Sequence, residues 1–286
     1  MVNTEIEWTD KVAVVTGGAS GIGRAIIENA LSRNMKVVLA DINKNNINEV
    51  ITDLKVDKSR IIAVQTDVTK FESVQNLAKQ SFDSFGRVDF LFNNAGVAEN
   101  SFVWESSLKD WDWVLGVNLM GAVHGIKAFI PKMLEQNNEG FIVNTSSLSG
   151  LMSANLGIYS VSKHAVVSLS ETLLQELKLI NSKLKVAVFC PGFIKTNINT
   201  SETNRPQELL DTEIKSNENV VRPELIKIKN FVDRVIAAGM DPKIAVEILF
   251  KELAEGKFYI MTNKDEKTMK TIQMRMEGIL EGVFKG

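Results

Sequence analysis

One cysteine, Cys190, and two histidines, His124 and His164, are all that a chain of 286 residues carries of these types. A lone thiol cannot close an internal disulfide. Two histidines with no acidic or cysteine cluster beside them, and no HxxxH spacing, do not make a transition-metal site, so no metal is expected. Val188 and Phe189 give the thiol apolar neighbours, which suits a buried, reduced cysteine and a cytoplasmic protein. An excess of either charge is also missing: 33 Lys and Arg stand against 35 Asp and Glu, a net charge of -2. No broad basic field is therefore available to hold a nucleic acid or an anionic membrane, and small molecules are the expected partners. No stretch approaches the roughly 20 consecutive apolar residues that a bilayer span requires. Glu5, Glu7 and Asp10 occupy the place where a secretory signal would need a basic start and an apolar run, so none is expected.

What the chain does have is 44% hydrophobic residues, spread along its whole length, enough for one core and a single domain over 1–286. Short β-rich runs alternate with longer stretches of helical period. The strand candidates are KVAVVT at 11–16, KVVLAD at 36–41, RIIAVQT at 60–66, VDFLFN at 88–93, GFIVNTS at 140–146, KVAVFC at 185–190 and KFYIMT at 257–262. Several are apolar almost without interruption, as strands covered on both faces must be, and the alternation predicts a doubly wound α/β fold with a parallel sheet. The interval 199–223 is dominated by Ser, Thr, Asn, Glu and Lys and reads as a mobile insertion. Beyond it come helical segments at 224–238 and 242–255, the last strand, and a terminal helix. In that helix Met269, Ile272, Met276, Ile279 and Leu280 form one apolar face, for which core or subunit packing is the plain expectation.

Between the first strand and first helix lies TGGASGIG at 16–23. Its glycines let the backbone turn sharply and approach an anion, while the unpaired N–H groups and positive dipole end of the following helix would face a pyrophosphate. Glycines alone are weak evidence, since any tight turn needs one or two. Position strengthens the reading: Asp41 ends the second strand eighteen residues after Gly23. A carboxylate there accepts hydrogen bonds from an adenosine ribose 2′-OH and repels a 2′-phosphate, so NAD is preferred to NADP. Asp41 is equally suited to cap the helix that follows.

Tyr159 and Lys163 in YSVSK share one face of a predicted helix. A phenol with a pKa near 10 is poorly matched to proton exchange at neutral pH. A nearby ammonium and a positive nicotinamide ring would both favour tyrosinate. Ser147, just past the strand FIVNT, is placed where a parallel sheet opens its ligand crevice and could hold a substrate oxygen; it could also simply start a turn.

TGGASGIG, NNAG at 93–96, the serines at 146 and 147 with YSVSK downstream, and PGFIKT at 191–196 resemble, in matching order, the short-chain dehydrogenase/reductase superfamily. The resemblance covers roughly residues 10–200. It implies a Rossmann-type sheet in the order 3-2-1-4-5-6-7 and a tetrad of Asn118, Ser147, Tyr159 and Lys163. In that tetrad Tyr159 exchanges the proton and Ser147 positions the reacting oxygen. Lys163 binds the nicotinamide ribose and lowers the tyrosine pKa, and Asn118 anchors a water leading to solvent. It further implies cofactor contacts from Gly17, Ser20, Gly21, Ile22, Gly23, Asp67, Val68, Asn94, Ala95, Gly96, Pro191, Gly192, Ile194 and Thr196. A homodimer or homotetramer on the long helices at 111–136 and 157–180 is also implied. The interval from Ser147 to Tyr159 is one residue short of many members, which leaves Ser146 as the alternative serine.

Val97, Phe102, Trp104, Leu151, Met152 and Phe193 are expected to shape an apolar substrate pocket, with 199–223 as its lid. A hydrophobic secondary alcohol or ketone is the substrate these residues suggest. Two other readings stand beside it: a sugar-nucleotide epimerase or dehydratase, and a catalytically inactive NAD-binding sensor. The first usually has TGxxGxxG spacing and a larger C-terminal domain, and an intact tetrad weighs against the second.

Overall fold

Val12, Ala13, Val14 and Val15 are wholly out of solvent in strand β1 (Val12–Thr16), with Ala13 and Val15 facing one hydrophobic layer and Val12 and Val14 the other. Burial on both sides is what an uninterrupted apolar run in a central parallel strand achieves. The same pattern recurs in β2 (Lys36–Asp41), β4 (Phe90–Asn93), β5 (Gly140–Thr145) and β6 (Leu184–Cys190). The outer strands β3 (Ile61–Gln65) and β7 (Tyr259–Met261) are partly exposed. The computed structural model describes residues 6–99, 101–152, 154, 156–210 and 222–285. All seven strands pair in parallel in the order β3-β2-β1-β4-β5-β6-β7. Chain order reverses between β1 and β4, and the crevice outside their carboxyl ends is where such a sheet receives a ligand.

Helices α1 (Gly21–Ser32), α2 (Lys44–Leu54) and α8 (Pro242–Ala254) supply one covering layer, joining Ile26, Ile27, Val50, Leu249 and Phe250 to the sheet. On the other face lie α3 (Phe71–Phe85), α5 (Gly121–Glu135) and α6 (Gly157–Leu179), which contribute Leu77, Phe129, Met133 and Leu173. Helix α4 (Leu108–Leu115) runs into α5 through a π-helical turn at Gly116–Met120. The combined rod Leu108–Glu135 is long and apolar enough to cross a membrane, but here its apolar residues Phe129, Ile130 and Met133 are packed in the core.

After β6 the chain forms two 3-10 turns, Ile198–Asn204 and Gln207–Leu209, before α7 (Pro223–Ala237). Of the 199–223 interval, 211–221 lies outside the described residues. The part up to residue 210 forms a strap in which Ser201 and the Arg205 side chain are buried. Helix α9 (Glu266–Glu281) leaves most of its apolar face uncovered by this chain. Met269, Met276, Ile279 and Leu280 stay exposed, Leu280 to 87%, so the apolar face is not part of this chain's core.

Candidate active site

The glycine turn is built by steric necessity. Gly17 and Gly21 adopt φ of 64° and 49°, the left-handed region that side chains disfavour. A Cβ on Gly17 would stand 2.9 Å from Ala95 Cα, and one on Gly23 would fall on the Gly17 carbonyl. The turn and the 94–96 loop are thereby pressed together, with Asn94 donating from Nδ2 to the Thr16 carbonyl at 3.0 Å. Helix α1 begins at Gly21 with no side-chain cap from Ser20 and no acidic residue in its first turn, which leaves its N–H groups and dipole to an anion. Asp41 Oδ2 accepts from the Ala19 N–H at 3.0 Å, and Oδ1 from the Asn43 N–H at 3.0 Å. The carboxylate is thus fixed beside the turn, while the cap of α2 is Asn43.

These residues line one continuous cleft of about 830 Å³. Gly17, Ser20, Gly21, Ile22, Gly23, Asp41, Asp67, Val68, Asn94, Ala95 and Gly96 line it. Ser147, Tyr159, Lys163, Pro191, Gly192, Ile194 and Thr196 line it as well, with Thr196 against Gly21 and Lys163 near Gly96. Lys163 is 2% exposed, and its ammonium donates to the Thr145 carbonyl at 2.9 Å. Burial lowers its pKa to about 8. The ammonium lies 5.5 Å from the centre of the Tyr159 ring, so the two heads converge as the helical spacing requires.

The phenol corrects the expected direction. Burial raises the Tyr159 pKa; the hydrogen bond to Ser147 opposes that rise without cancelling it, and Lys163 does not lower it. Desolvation of the phenolate is the larger effect.

The same geometry separates the two serines. Ser146 donates to the Lys163 carbonyl at 2.7 Å and ties strand to helix. Ser147, whose Oγ accepts from the Ser149 N–H at 3.2 Å, lines the cleft with the tyrosine and is the one that acts to lower its pKa. Asn118 sits in the π turn with three hydrogen bonds. Its Oδ1 accepts from the Val97 N–H at 2.8 Å, and its Nδ2 donates to the Val97 carbonyl at 3.0 Å and to Ser162 Oγ at 2.9 Å. The side chain thereby braces the 94–97 loop against α6 from inside the π turn.

Of the expected pocket residues, Val97, Met152 and Phe193 line the cleft. Phe102 and Trp104 instead stack on each other, with Trp104 71% exposed, and Leu151 packs against the Val167, Val188 and Cys190 cluster. Trp113, Val117, Val232 and Ile236 complete the apolar wall. They come from α4, the π turn and α7, and no local motif marks them. Cys190 is buried beside the site, its thiol pushed up to about 12 by desolvation, which leaves it a poor nucleophile.

Residues 11–207 match the family model described as short chain dehydrogenase. A CLA biosynthesis dehydrogenase/reductase of Lactiplantibacillus plantarum is 32% identical over 260 residues, 91% of this chain and 90% of that protein. An uncharacterized oxidoreductase of Staphylococcus aureus is 38% identical over 191 residues, 66% of this chain and 80% of its own. A short chain dehydrogenase/reductase from Burkholderia phymatum, crystallised in complex with NAD, superposes with a TM-score of 0.91 at 38% identity, covering 98% of both chains. A parallel sheet with a glycine-turned nucleotide crevice and a Ser-Tyr-Lys cluster at its mouth defines an oxidoreductase fold and site. The chain belongs to the short-chain dehydrogenase/reductase family.

Proposed function

We propose that this protein is an NAD-dependent dehydrogenase or reductase acting on a hydrophobic secondary alcohol or its ketone, with Tyr159 as general acid and base. One observation carries the reading: the Ser147 hydroxyl, the Tyr159 phenol and the Lys163 ammonium meet in the same cleft as the glycine turn and Asp41. The residues fit the dinucleotide. Gly17 and Gly23 occupy positions that a Cβ would fill, and Lys163 directs one hydrogen bond to the protein while an ammonium has three donors. NAD would supply the acceptor or donor of hydride, held by the turn, by Asp41 and by Lys163. Tyr159 takes the hydroxyl proton when the alcohol is oxidised and returns it when the ketone is reduced. Ser147 holds the reacting oxygen, and its hydrogen bond favours the phenolate.

NAD is preferred to NADP because the Asp41 carboxylate beside the turn would repel a 2′-phosphate, and among the described residues it forms no ion pair. Arg24 is engaged with Glu28 at 3.0 Å and Asp53 at 3.1 Å. Val97, Trp113, Met152, Val232 and Ile236 favour an apolar substrate body. A cytoplasmic homo-oligomer is the setting we infer, the latter to cover the apolar face of α9. Incubating the protein with NAD or NADP and a panel of secondary alcohols, following absorbance of the reduced cofactor, tests the proposal. Turnover with NAD supports it; NAD binding without turnover of any alcohol or ketone would make the protein a sensor.

A further inference from the structure

We propose that Arg205 is a positioning residue, a latch that holds the 198–210 strap across the dinucleotide groove so that cofactor release waits on the strap. This rests on the dehydrogenase reading. The sequence suggests a lid over the substrate, but the strap faces the other half of the cleft as well. Thr203, Asn204 and Pro206 line the cleft together with Asp41 and Asn43. The Asn43 side-chain amide reaches over to donate to Asn204 Oδ1 at 3.4 Å. Nearer the catalytic end, Ser201 Oγ closes on the backbone of Ala98, accepting from its N–H at 3.1 Å and donating to its carbonyl at 3.2 Å.

Those contacts are short-range and made by small side chains. The strap's main anchor is Arg205, whose side chain is 4% exposed. Its Nη1 lies 2.6 Å from Asp110 Oδ1 and 3.4 Å from Glu202 Oε1, and the guanidinium sits over the Trp113 ring at 5.0 Å. Asp110 is a rigid partner, because its Oδ2 already accepts from the Ser107 N–H at 2.8 Å in the capping box of α4. Trp113 is 1% exposed and is itself part of the cleft wall. Leu209 packs on the same cluster, and Lys109 donates to the Leu210 carbonyl at 2.9 Å. One short stretch of chain is thus tied to α4 by a stacked ion pair, an apolar contact and a hydrogen bond.

The ion pair is incomplete, and that makes it releasable. Among the described residues, Arg205 Nε and Nη2 are buried without a hydrogen-bond partner. A guanidinium removed from water but held through one nitrogen recovers only part of its hydration. Opening the strap rehydrates it. The closed strap is therefore favoured by stacking and by Asp110, and opposed by the two unused donors.

Hydrogen exchange of the cofactor-free protein, and stopped-flow displacement of NADH, together test the latch. In Arg205→Met, the 199–210 amides exchange faster than in wild type and NADH dissociates about tenfold faster, a factor of ordinary size for one lost anchoring contact. KM for the cofactor rises while KM for the alcohol stays near its wild-type value, a split that general destabilisation would not give. Ser201→Ala, which deletes one hydroxyl and leaves Arg205 in place, carries the test if Arg205→Met fails to fold; its NADH release also accelerates. Release within about twofold of wild type in whichever variant folds, with unchanged strap exchange, overturns the latch. Wild-type protein that binds no NADH overturns the dehydrogenase reading and the latch with it, whereas normal NADH binding with unaltered release refutes the latch alone.

Discussion

The Lys163 ammonium donates to the Thr145 carbonyl at 2.9 Å from a position only 2% exposed. Thr145 ends β5, so helix α6 is pinned to the sheet through this buried charge. A lysine whose pKa falls from 10.5 to about 8 on folding costs stability below pH 8, where the buried group must stay charged. The unfolded chain binds more protons between those two values, so folding gains stability as pH rises through that interval. Lys163→Met lacks this term. Denaturant titrations from neutral pH to about pH 10 should show wild type gaining up to ~3 kcal/mol relative to the variant. Parallel stability curves would mean that the ammonium is not desolvated.

Tyr159→Phe should lower kcat by roughly 10²- to 10⁴-fold, the usual worth of a positioned proton donor, with NADH affinity changed only a few fold. Steady-state rates and fluorescence titration separate the two effects. Full activity in the variant would remove Tyr159 from the chemistry.

Ser147→Ala should move the pH profile of alcohol oxidation. Burial raises the Tyr159 pKa and the Ser147 hydrogen bond opposes that rise. Without the hydroxyl the phenol becomes a weaker acid, and the limb where kcat/KM rises with pH shifts to higher pH. A limb that stays in place while kcat falls would assign Ser147 to substrate positioning alone.

Asp41→Ala should lower the NAD:NADP ratio of kcat/KM by about tenfold or more, the scale of one removed charge repulsion. Asp41 also receives the Ala19 N–H at 3.0 Å, so affinity for NAD itself should weaken. An unchanged ratio with reduced thermal stability would leave Asp41 as an organiser of the turn.

Features written in local sequence were the readable ones. The strand KVVLAD coincides with β2 (Lys36–Asp41), because buried β-branched residues bounded by turn signals have one solution in a parallel sheet. That the glycine turn, Ser147, Tyr159 and Lys163 share one cleft was legible because they stand at short fixed spacings around strand ends and one helix face. Trp113, Val232 and Ile236 were not, since they reach the cleft from elements distant in the chain and look like ordinary core residues. The direction of the Tyr159 shift was misread for a related reason: spacing shows that a lysine is near, but not how much water the phenol loses. Trp104 shows the converse, a pocket-like aromatic near the motifs that stacks on Phe102 at the surface.

On α9, Ile279 and Leu280 are 61% and 87% exposed. If this face covers a second copy, Leu280→Asp should reduce the molar mass measured by light scattering at micromolar protein, leaving the secondary structure unchanged. A variant with the wild-type mass would place any subunit contact elsewhere.

The π turn at Gly116–Met120 has a bearing on how this chain can vary. It holds one residue more than a regular turn would, so α4 is rotated by about 100° from where an unbroken helix would place it. Removing any single residue there would swing Trp113 away from the cleft wall and carry Asp110 out from beneath Arg205. Asn118 could no longer hold Val97 and Ser162 together. In this stretch the number of residues constrains the architecture more tightly than the identity of most of them, and natural relatives that keep the cleft should differ here by substitution rather than by change of length.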